Sequence, residues 1–273
     1  MPEPAGGKDH CPRVRYRGEL QAPPGYGTLV TAAVSVSGPV AIWSSADSDA
    51  GLHARYEQRP GGASFPRTAS VTRPAVALAA YEGSGTVPAR VARVRALPVT
   101  FPHVDLLADG SFLVAGGRCA WTPAGGPERN ALAIDQNSRI FRRGCLGDGI
   151  QHLQVAADGT ISAGYFDEGV LGNLGWSGPG PVPLGAGGIV AWSPDFEKTW
   201  ELDPEAGLVC DCYALNVTPA GEVLACPYRD FPVVRIRDRQ VTVTPANSIS
   251  GPAGIIASGE RAPSSGPTRT RRC

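Results

Sequence analysis

Two adjacent carboxylates, Asp167 and Glu168, stand between Phe166 and Gly169 in a glycine-rich stretch of the chain. Neighbouring carboxylates can raise the pKa of one of the pair, which suits general acid–base catalysis, or they can coordinate a cation. Together with His152 they are the candidate catalytic residues. The alternative interpretation is a solvated pair on a loop that does no chemistry.

Two histidines, His103 and His152, are the other groups that could act near neutral pH. With carboxylates nearby they could hold a divalent ion, but no ligand-spacing motif accompanies them. The cofactor therefore stays open, and a divalent metal is the one that these residue types would fit. In the alternative interpretation both histidines only form hydrogen bonds within the domain.

An internal repeat must position these residues. An alternating strand, a tight turn around Asp-Gly or Ala-Gly and a second apolar strand recur at residues 103–114, 152–163 and 214–225. Each copy is followed by a second pair of strand-like segments, giving four strands in units of about 40 to 60 residues. This pattern predicts an all-β fold, a β-propeller of five or six four-stranded blades. A β-sandwich or two small β domains are the alternatives.

Regular helices are not predicted anywhere in the chain. Residues 75–81 and 89–97 have helix-like stretches, but their β-branched and proline neighbours favour strands. The domain limits that follow are an irregular segment over 1–25, the propeller over 26–259 and a disordered basic tail over 260–273. Residues after 259 offer no partner strands, so either N-terminal strands complete the last blade or that blade is incomplete because the chain is truncated.

Aligning the three hairpins predicts which residues meet. In a propeller the first strand of each blade is innermost, and it begins on the face where the loop between strands two and three opens. Residues at these places, Arg118 among them, should therefore gather on one rim, where loops on a rigid scaffold often bind ligands. The predicted ligand-binding set is His103, Asp148, His152, Asp167, Glu168, Asn173, Trp176, Asp211, Tyr213, Arg229 and Asp230.

Several polar or unusual residues have structural explanations. Asp105, Gln154 and Asn216 stand four positions before the turns, where side chains commonly form hydrogen bonds with the next blade. Cys210, Cys212 and Cys226 form a cluster without zinc-site spacing, so small buried hydrophobes are the favoured interpretation. The five tryptophans should mostly pack the blades, although Trp176 could line a pocket.

Four short strings carry a resemblance to a family. They are Gly147–Ile150, Gly164–Val170, Gly172-Asn173 before Trp176, and Asp211–Val217. These strings, which lie within about a third of the chain, resemble a group of actinobacterial propeller proteins that has no activity to transfer. More loosely, the architecture is similar to six-bladed lactonase-type propellers, whose metal is held by Glu, Asn and Asp. No ligand motif of that family is matched here, so this likeness concerns the fold only.

The composition excludes some partners. Basic and acidic residues balance at 25 each, so no net field favours nucleic acid or an anionic membrane. No run of 18 apolar residues is present, and seven scattered cysteines suggest reduced thiols in the cytoplasm. The sequence thus predicts a cytoplasmic binding or interaction module for a protein or small-molecule ligand. The alternative is a metal-assisted hydrolase or lactonase-type enzyme that uses the same rim.

Overall fold

The computed structural model describes residues 15–48, 56–58, 61–62, 64–245, 250–256 and 264–265. Four antiparallel sheets of four strands each dominate this part of the chain. The first sheet contains β1 (Thr28–Ser35), β2 (Gly38–Ser44), β5 (Val76–Ala80) and β6 (Arg90–Val94). The second contains β7 (Pro102–Leu106), β8 (Phe112–Gly116), β11 (Ala131–Ile134) and β12 (Ile140–Gly144).

The third and fourth sheets repeat the same arrangement. The third contains β13 (Ile150–Val155), β14 (Ile161–Tyr165), β15 (Ile189–Trp192) and β16 (Lys198–Glu201). The fourth contains β17 (Asp211–Val217), β18 (Val223–Tyr228), β19 (Val233–Arg237) and β20 (Gln240–Thr244). Short pairs complete the strands: β3 (Tyr56–Gln58) with β4 (Ser64–Pro66), β9 (Trp121–Thr122) with β10 (Gly126–Pro127), and β21 (Gly254–Ile255) with β22 (Ser264–Ser265).

Helical structure among the described residues is limited to short pieces. They are the α-helix α1 (Asp167–Leu171) and two 3-10 turns at Ala46–Ser48 and Pro204–Ala206. The short helix α1 was not predicted, and it places Asp167 and Glu168 in a first helical turn instead of a loop. Within the described ranges, no helix has the length and apolar character needed to cross a membrane.

The sheets are the blades of a β-propeller. The first strands follow one another around the inside, since β1 packs on β7, β7 on β13, β13 on β17 and β17 on β21. All five of these strands line one central channel of about 570 Å³. The prediction of four-stranded propeller blades is confirmed, and β21 occupies a fifth inner position. The described residues between 26 and 100 contribute one of these blades and the β3–β4 pair.

The hairpin turns form as their sequences predict. Gly110, Gly159 and Gly221 have φ values of 80°, 89° and 78°, in the left-handed region that favours glycine. In two of the turns the preceding aspartate accepts a hydrogen bond from the backbone N–H two residues on: Asp109 from Ser111 and Asp158 from Thr160, both at 2.9 Å. In these two turns the aspartate of the Asp-Gly pair therefore stabilises the turn with its own side chain.

Apolar residues fill the spaces between successive blades. One buried cluster joins the first and second blades through Ile42, Leu78 and Leu132. A second joins the second and third blades around Leu113 and Ile161, and a third joins the third and fourth. Residues 76–80 and 90–94, predicted to be strands and not helices, form strands and belong to the first of these interfaces.

Polar side chains on the inner strands also link neighbouring blades. Asp105 Oδ2 accepts a 2.7 Å hydrogen bond from the backbone N–H of Val155 in the third blade. One blade further on, Gln154 Oε1 accepts from the N–H of Val217 at 2.6 Å, and its amide donates to Val34 O at 3.2 Å. The predicted structural role of this repeated position is thus confirmed for Asp105 and Gln154.

Candidate functional site

A cavity of about 630 Å³ opens where the inner strands begin. Its wall combines the starts of β7 and β13, the loops after β8 and β14, and the β3–β4 hairpin. This volume is in the range of small-molecule sites. The residues that line this rim cavity are Val30, Thr31, Tyr56, Ser64, Pro66, Phe101, Pro102, His103, Gly117, Arg118, Ile150, Gln151, Phe166, Asp167 and Glu168.

Arg118 is the best-anchored charge in the rim cavity. Its Nε and Nη2 atoms donate to the two carboxylate oxygens of Asp148 at 2.9 and 3.0 Å, a bidentate pair. Its Nη1 atom lies 2.5 Å from Glu168 Oε2, and its guanidinium lies 5.3 Å from the centre of the Phe166 ring. The guanidinium is therefore fixed in one orientation and already carries two carboxylate partners.

Asp148 is a support for Arg118 and not a wall of the cavity. Its side chain is only 1% exposed, and it also accepts a 2.8 Å hydrogen bond from the N–H of Cys119. Burial raises the pKa of Asp148, whereas the charge of Arg118 and these N–H donors lower it. Sequence reasoning placed Asp148 in the ligand-binding set, but the structure places it behind that set.

A close contact between two glycines holds Asp167 and Glu168 at the cavity. A Cβ atom on Gly169 would lie 2.3 Å from Asp148 O, and one on Gly149 would lie 2.4 Å from Gly169 N. Side chains at these positions would therefore push α1 away from the start of β13. The helix keeps the Asp167 carboxylate in the cavity wall, where it accepts a 2.8 Å hydrogen bond from the N–H of Glu168.

The two histidines lie further inside. His103 lines both the rim cavity and the central channel, and its Nε2 lies 3.0 Å from Ile150 O. Burial lowers the pKa of His103 to about 4, so its ring is neutral at pH 7. His152 lines the channel only, burial lowers its pKa, and its buried Nε2 has no hydrogen-bond partner among the described residues.

Other predicted residues lie away from the rim cavity. Trp176 is buried and donates from Nε1 to Cys119 O at 2.8 Å. It therefore packs inside the domain and does not line the rim cavity. Asn173 Oδ1 accepts from the N–H of Leu174 at 2.7 Å. Arg229 and Asp230 line a different cavity, of about 610 Å³, beside the fourth blade.

Asp211 and Tyr213 lie at the start of β17. Burial raises the pKa of Asp211, and the charge of Asp167 raises it further, so these two carboxylates are electrostatic neighbours. The Tyr213 ring stacks on Tyr228 with centroids 6.0 Å apart and meets Phe231 edge to face at 5.2 Å. This aromatic group lies on the fourth blade, apart from the residues that line the rim cavity.

Sequence reasoning missed part of the rim cavity. Tyr56 and Phe101 meet edge to face with centroids 5.6 Å apart, and Ser64 lines the same cavity. Tyr56 and Ser64 come from the β3–β4 hairpin, which no repeat unit predicts. Phe101 lies two residues before His103, so extending the first hairpin alignment by one alternate position could have found it.

Metal-ligating side chains do not converge in the parts of the chain that the structure describes. No group of three or more His, Cys, Asp or Glu residues there is arranged to hold an ion. Cys212 and Cys226 are buried thiols on neighbouring strands, and Cys210 is half-buried. A divalent ion, which the sequence left open, therefore has no ligand set among these residues.

The strand order and blade packing define the chain as a β-propeller with a polar and aromatic cavity at one rim. No protein-family model matches the chain, and no curated protein matches it. Solved structures that are similar to it include a eukaryotic initiation factor, with a TM-score of 0.41 and 9% identity over 94% of this chain. Others are a protein described as a gluconolactonase, with a TM-score of 0.38 and 12% identity over 88% of this chain, and the virginiamycin B lyase of Staphylococcus aureus, with 0.40 and 11% over 90%.

The chain is shorter than these solved structures. It spans 58% of the initiation factor chain, 70% of the gluconolactonase-described chain and 79% of the lyase chain. Identities this low concern the fold alone, and the strand pairing and blade packing described above carry the assignment of a propeller.

Proposed function

We propose that the protein is a ligand-binding propeller whose rim cavity takes a small organic cation. The observation that carries the proposal is the charge arrangement in the cavity wall. Arg118 is the one Lys or Arg residue among the described residues that line the cavity, and Asp148 and Glu168 already accompany it. One guanidinium against these carboxylates and Asp167 leaves two negative charges uncompensated.

The remaining polar groups do not offset this charge. His103 is neutral at pH 7, because its pKa is lowered to about 4 by burial. Asp211 is close enough to Asp167 for that charge to raise its pKa, so it adds to the negative potential when ionised. A concave site lined by one sign of charge concentrates ligands of the opposite sign.

Aromatic rings supply the second half of the recognition. Tyr56 and Phe101 stand edge to face in the wall, and the Phe166 ring already faces Arg118. An alkylammonium group between the Tyr56–Phe101 pair and Asp167 would gain cation–π attraction and a carboxylate counter-ion together. A small polar cavity with aromatic walls suits a ligand of this size better than it suits a protein surface.

The alternative of a metal-assisted hydrolase is not the better supported one. It needs Asp167, Glu168, His103 and His152 around a single ion, but the described residues contain no such group. His152 lines the central channel, whereas Asp167 and Glu168 line the rim cavity. Metal analysis of the purified protein tests this alternative directly, since a stoichiometric ion would favour it.

Calorimetric titration with choline and with its neutral carbon isostere, dimethylbutanol, tests the proposal. The two probes share a shape and differ in charge. We expect choline to bind about ten-fold more tightly, because desolvated cation–π contacts and a carboxylate together contribute roughly 1.4 kcal/mol or more. Equal affinity for the two probes would overturn the proposal. So would tighter binding of acetate, titrated in the same way as a small anion, than of choline.

Matched variants locate the binding. Asp167→Asn should weaken choline binding about two- to five-fold, the range for a partly exposed charge pair, and Tyr56→Leu should weaken it by a similar factor. Asp195→Asn is the control, because Asp195 is an exposed carboxylate that pairs with Arg142 outside the rim cavity. The proposed site is refuted if the Asp195 variant weakens binding as much as the Asp167 variant.

A further inference from the structure

Two thiols meet behind the rim cavity. Cys119 follows β8 after a short loop, and Cys145 directly follows β12, so both lie in the second blade. Their Sγ atoms are 3.6 Å apart, within hydrogen-bond distance for sulfur. Cys119 is buried and Cys145 is half-buried.

We propose that Cys119 and Cys145 are a redox modification site that closes reversibly into a disulfide by exchange with a low-molecular-weight disulfide such as oxidised glutathione. The sulfurs need to approach by about 1.5 Å to reach the bonded distance of about 2.05 Å. Both thiols lie just beyond strand ends, outside the hydrogen-bonded ladder of the blade. The cysteine cluster of the fourth blade has no such sulfur pair among the described contacts.

The surroundings of the two thiols shift their pKa values in opposite directions. The hydrogen bond with Cys119 lowers the pKa of Cys145, and the N–H of Gly147, 3.4 Å from its sulfur, lowers it further. The same interaction and burial raise the pKa of Cys119. The thiolate therefore forms on Cys145, and it is the thiolate that attacks an external disulfide.

The exchange balances in two steps. The Cys145 thiolate attacks one sulfur of oxidised glutathione, forming a mixed disulfide and releasing one glutathione thiolate, which takes the proton lost by Cys145. Cys119 then loses its proton and attacks the Cys145 sulfur, and the second glutathione thiolate leaves with that proton. Two protein thiols are oxidised to one disulfide while one glutathione disulfide is reduced to two thiols.

The position of the pair ties this chemistry to the rim cavity. Cys119 directly follows Arg118, and its N–H donates to Asp148 Oδ1 at 2.8 Å. Cys145 lies three residues before Asp148 in the chain. A disulfide would therefore join the two segments that carry the Arg118–Asp148 ion pair. Any effect on ligand affinity rests on the proposed function, whereas the disulfide itself does not.

The test uses the full chain with Cys11, Cys210 and Cys273 changed to serine, which removes the half-buried Cys210 and the two cysteines outside the described residues. Oxidised glutathione should lower the intact mass by about 2 Da, the two thiol hydrogens, and dithiothreitol should restore it. Peptide mapping should find Cys119 joined to Cys145. Closing this loop should raise the Tm by about 5 to 10 °C.

Single variants separate the steps. In Cys119→Ala, Cys145 should retain glutathione as a stable mixed disulfide, with a mass gain of about 305 Da, whereas Cys145→Ala should give neither product. Two free thiols after treatment, or a cross-link to Cys212 or Cys226, would refute the proposal. So would glutathione that stays on Cys145 when Cys119 is present. None of these readouts uses choline, so they stand or fall separately from the ligand proposal.

Discussion

Replacing Asp148 by asparagine should destabilise the protein by about 3 to 5 kcal/mol, because it breaks a buried ion pair from one side. The carboxylate accepts three N–H donors, two from Arg118 and one from Cys119. An amide has one accepting oxygen and turns its NH₂ group toward the guanidinium, so at least one donor loses its partner. Each buried unpaired donor costs about 1 to 3 kcal/mol, and the cation adds to that cost.

In Asp148→Asn the guanidinium would keep one counter-ion, so we expect the destabilisation to lie at the lower end of the range of about 3 to 5 kcal/mol. Glu168 remains beside Arg118 Nη1, but its side chain is 39% exposed, so water weakens that contact. Urea unfolding followed by circular dichroism measures the effect. With an m value of about 3 kcal/mol/M for a chain of this size, the midpoint should fall by about 1 M.

A double variant provides the control. Arg118→Met with Asp148→Leu removes both charges. Its loss in the free energy of unfolding should be smaller, by about 2 kcal/mol or more, than the sum of the losses in the two single variants. Two results would refute the reasoning. One is an Asp148→Asn midpoint within about 0.3 M of the wild type at an unchanged m value. The other is a double variant whose loss equals the sum of the single losses.

Three further predictions follow from the fold. The pKa of His103 is lowered to about 4, so its contribution to stability is fully present above pH 6.5 and is lost as the pH falls toward 4. Over this range the free energy of unfolding, measured with urea, should therefore fall less steeply in His103→Gln than in the wild type. The difference between the two should reach up to about 3 kcal/mol. Gly169→Ala should lower the free energy of unfolding by about 2 kcal/mol or more, because its Cβ atom would meet backbone. Gly27→Ala, with open space around it, should change that free energy by under about 0.5 kcal/mol. Gln154→Ala should cost about 1 to 3 kcal/mol through its lost inter-blade bonds, and Asn216→Ala on the same channel should cost less; equal losses would contradict this.

The blades could be predicted because their signals are local. Each hairpin carries its own turn chemistry in two residues, and a glycine at positive φ follows the aspartate in two of the three copies. The alternation on either side fixes which face is apolar, and repetition fixes the number of strands in a blade. The short helix α1 escaped prediction because five residues with two acidic and two apolar side chains have no period to detect.

The candidate site could be predicted only in part, because the same side-chain type has opposite roles at two places. In the sequence, Asp148 and Asp167 are both acidic residues within two positions of a glycine, and no pattern in the chain distinguishes them. Their difference lies in Arg118, which approaches from a loop 30 residues away and makes Asp148 a buried partner. A hairpin alignment brings such residues to one rim, but it does not order them by depth.

Depth also determines the charge that a ligand would meet. Were Asp148 exposed and Arg118 unpaired, the cavity would present a free cation and would favour an anion. Because Asp148 sits behind Arg118 and holds it in a bidentate pair, the guanidinium is neutralised before a ligand arrives, and Asp167 with the Tyr56–Phe101 pair faces the open volume. The sign of the preferred ligand thus follows from one buried carboxylate, and weakening that ion pair should shift selectivity from cations toward anions.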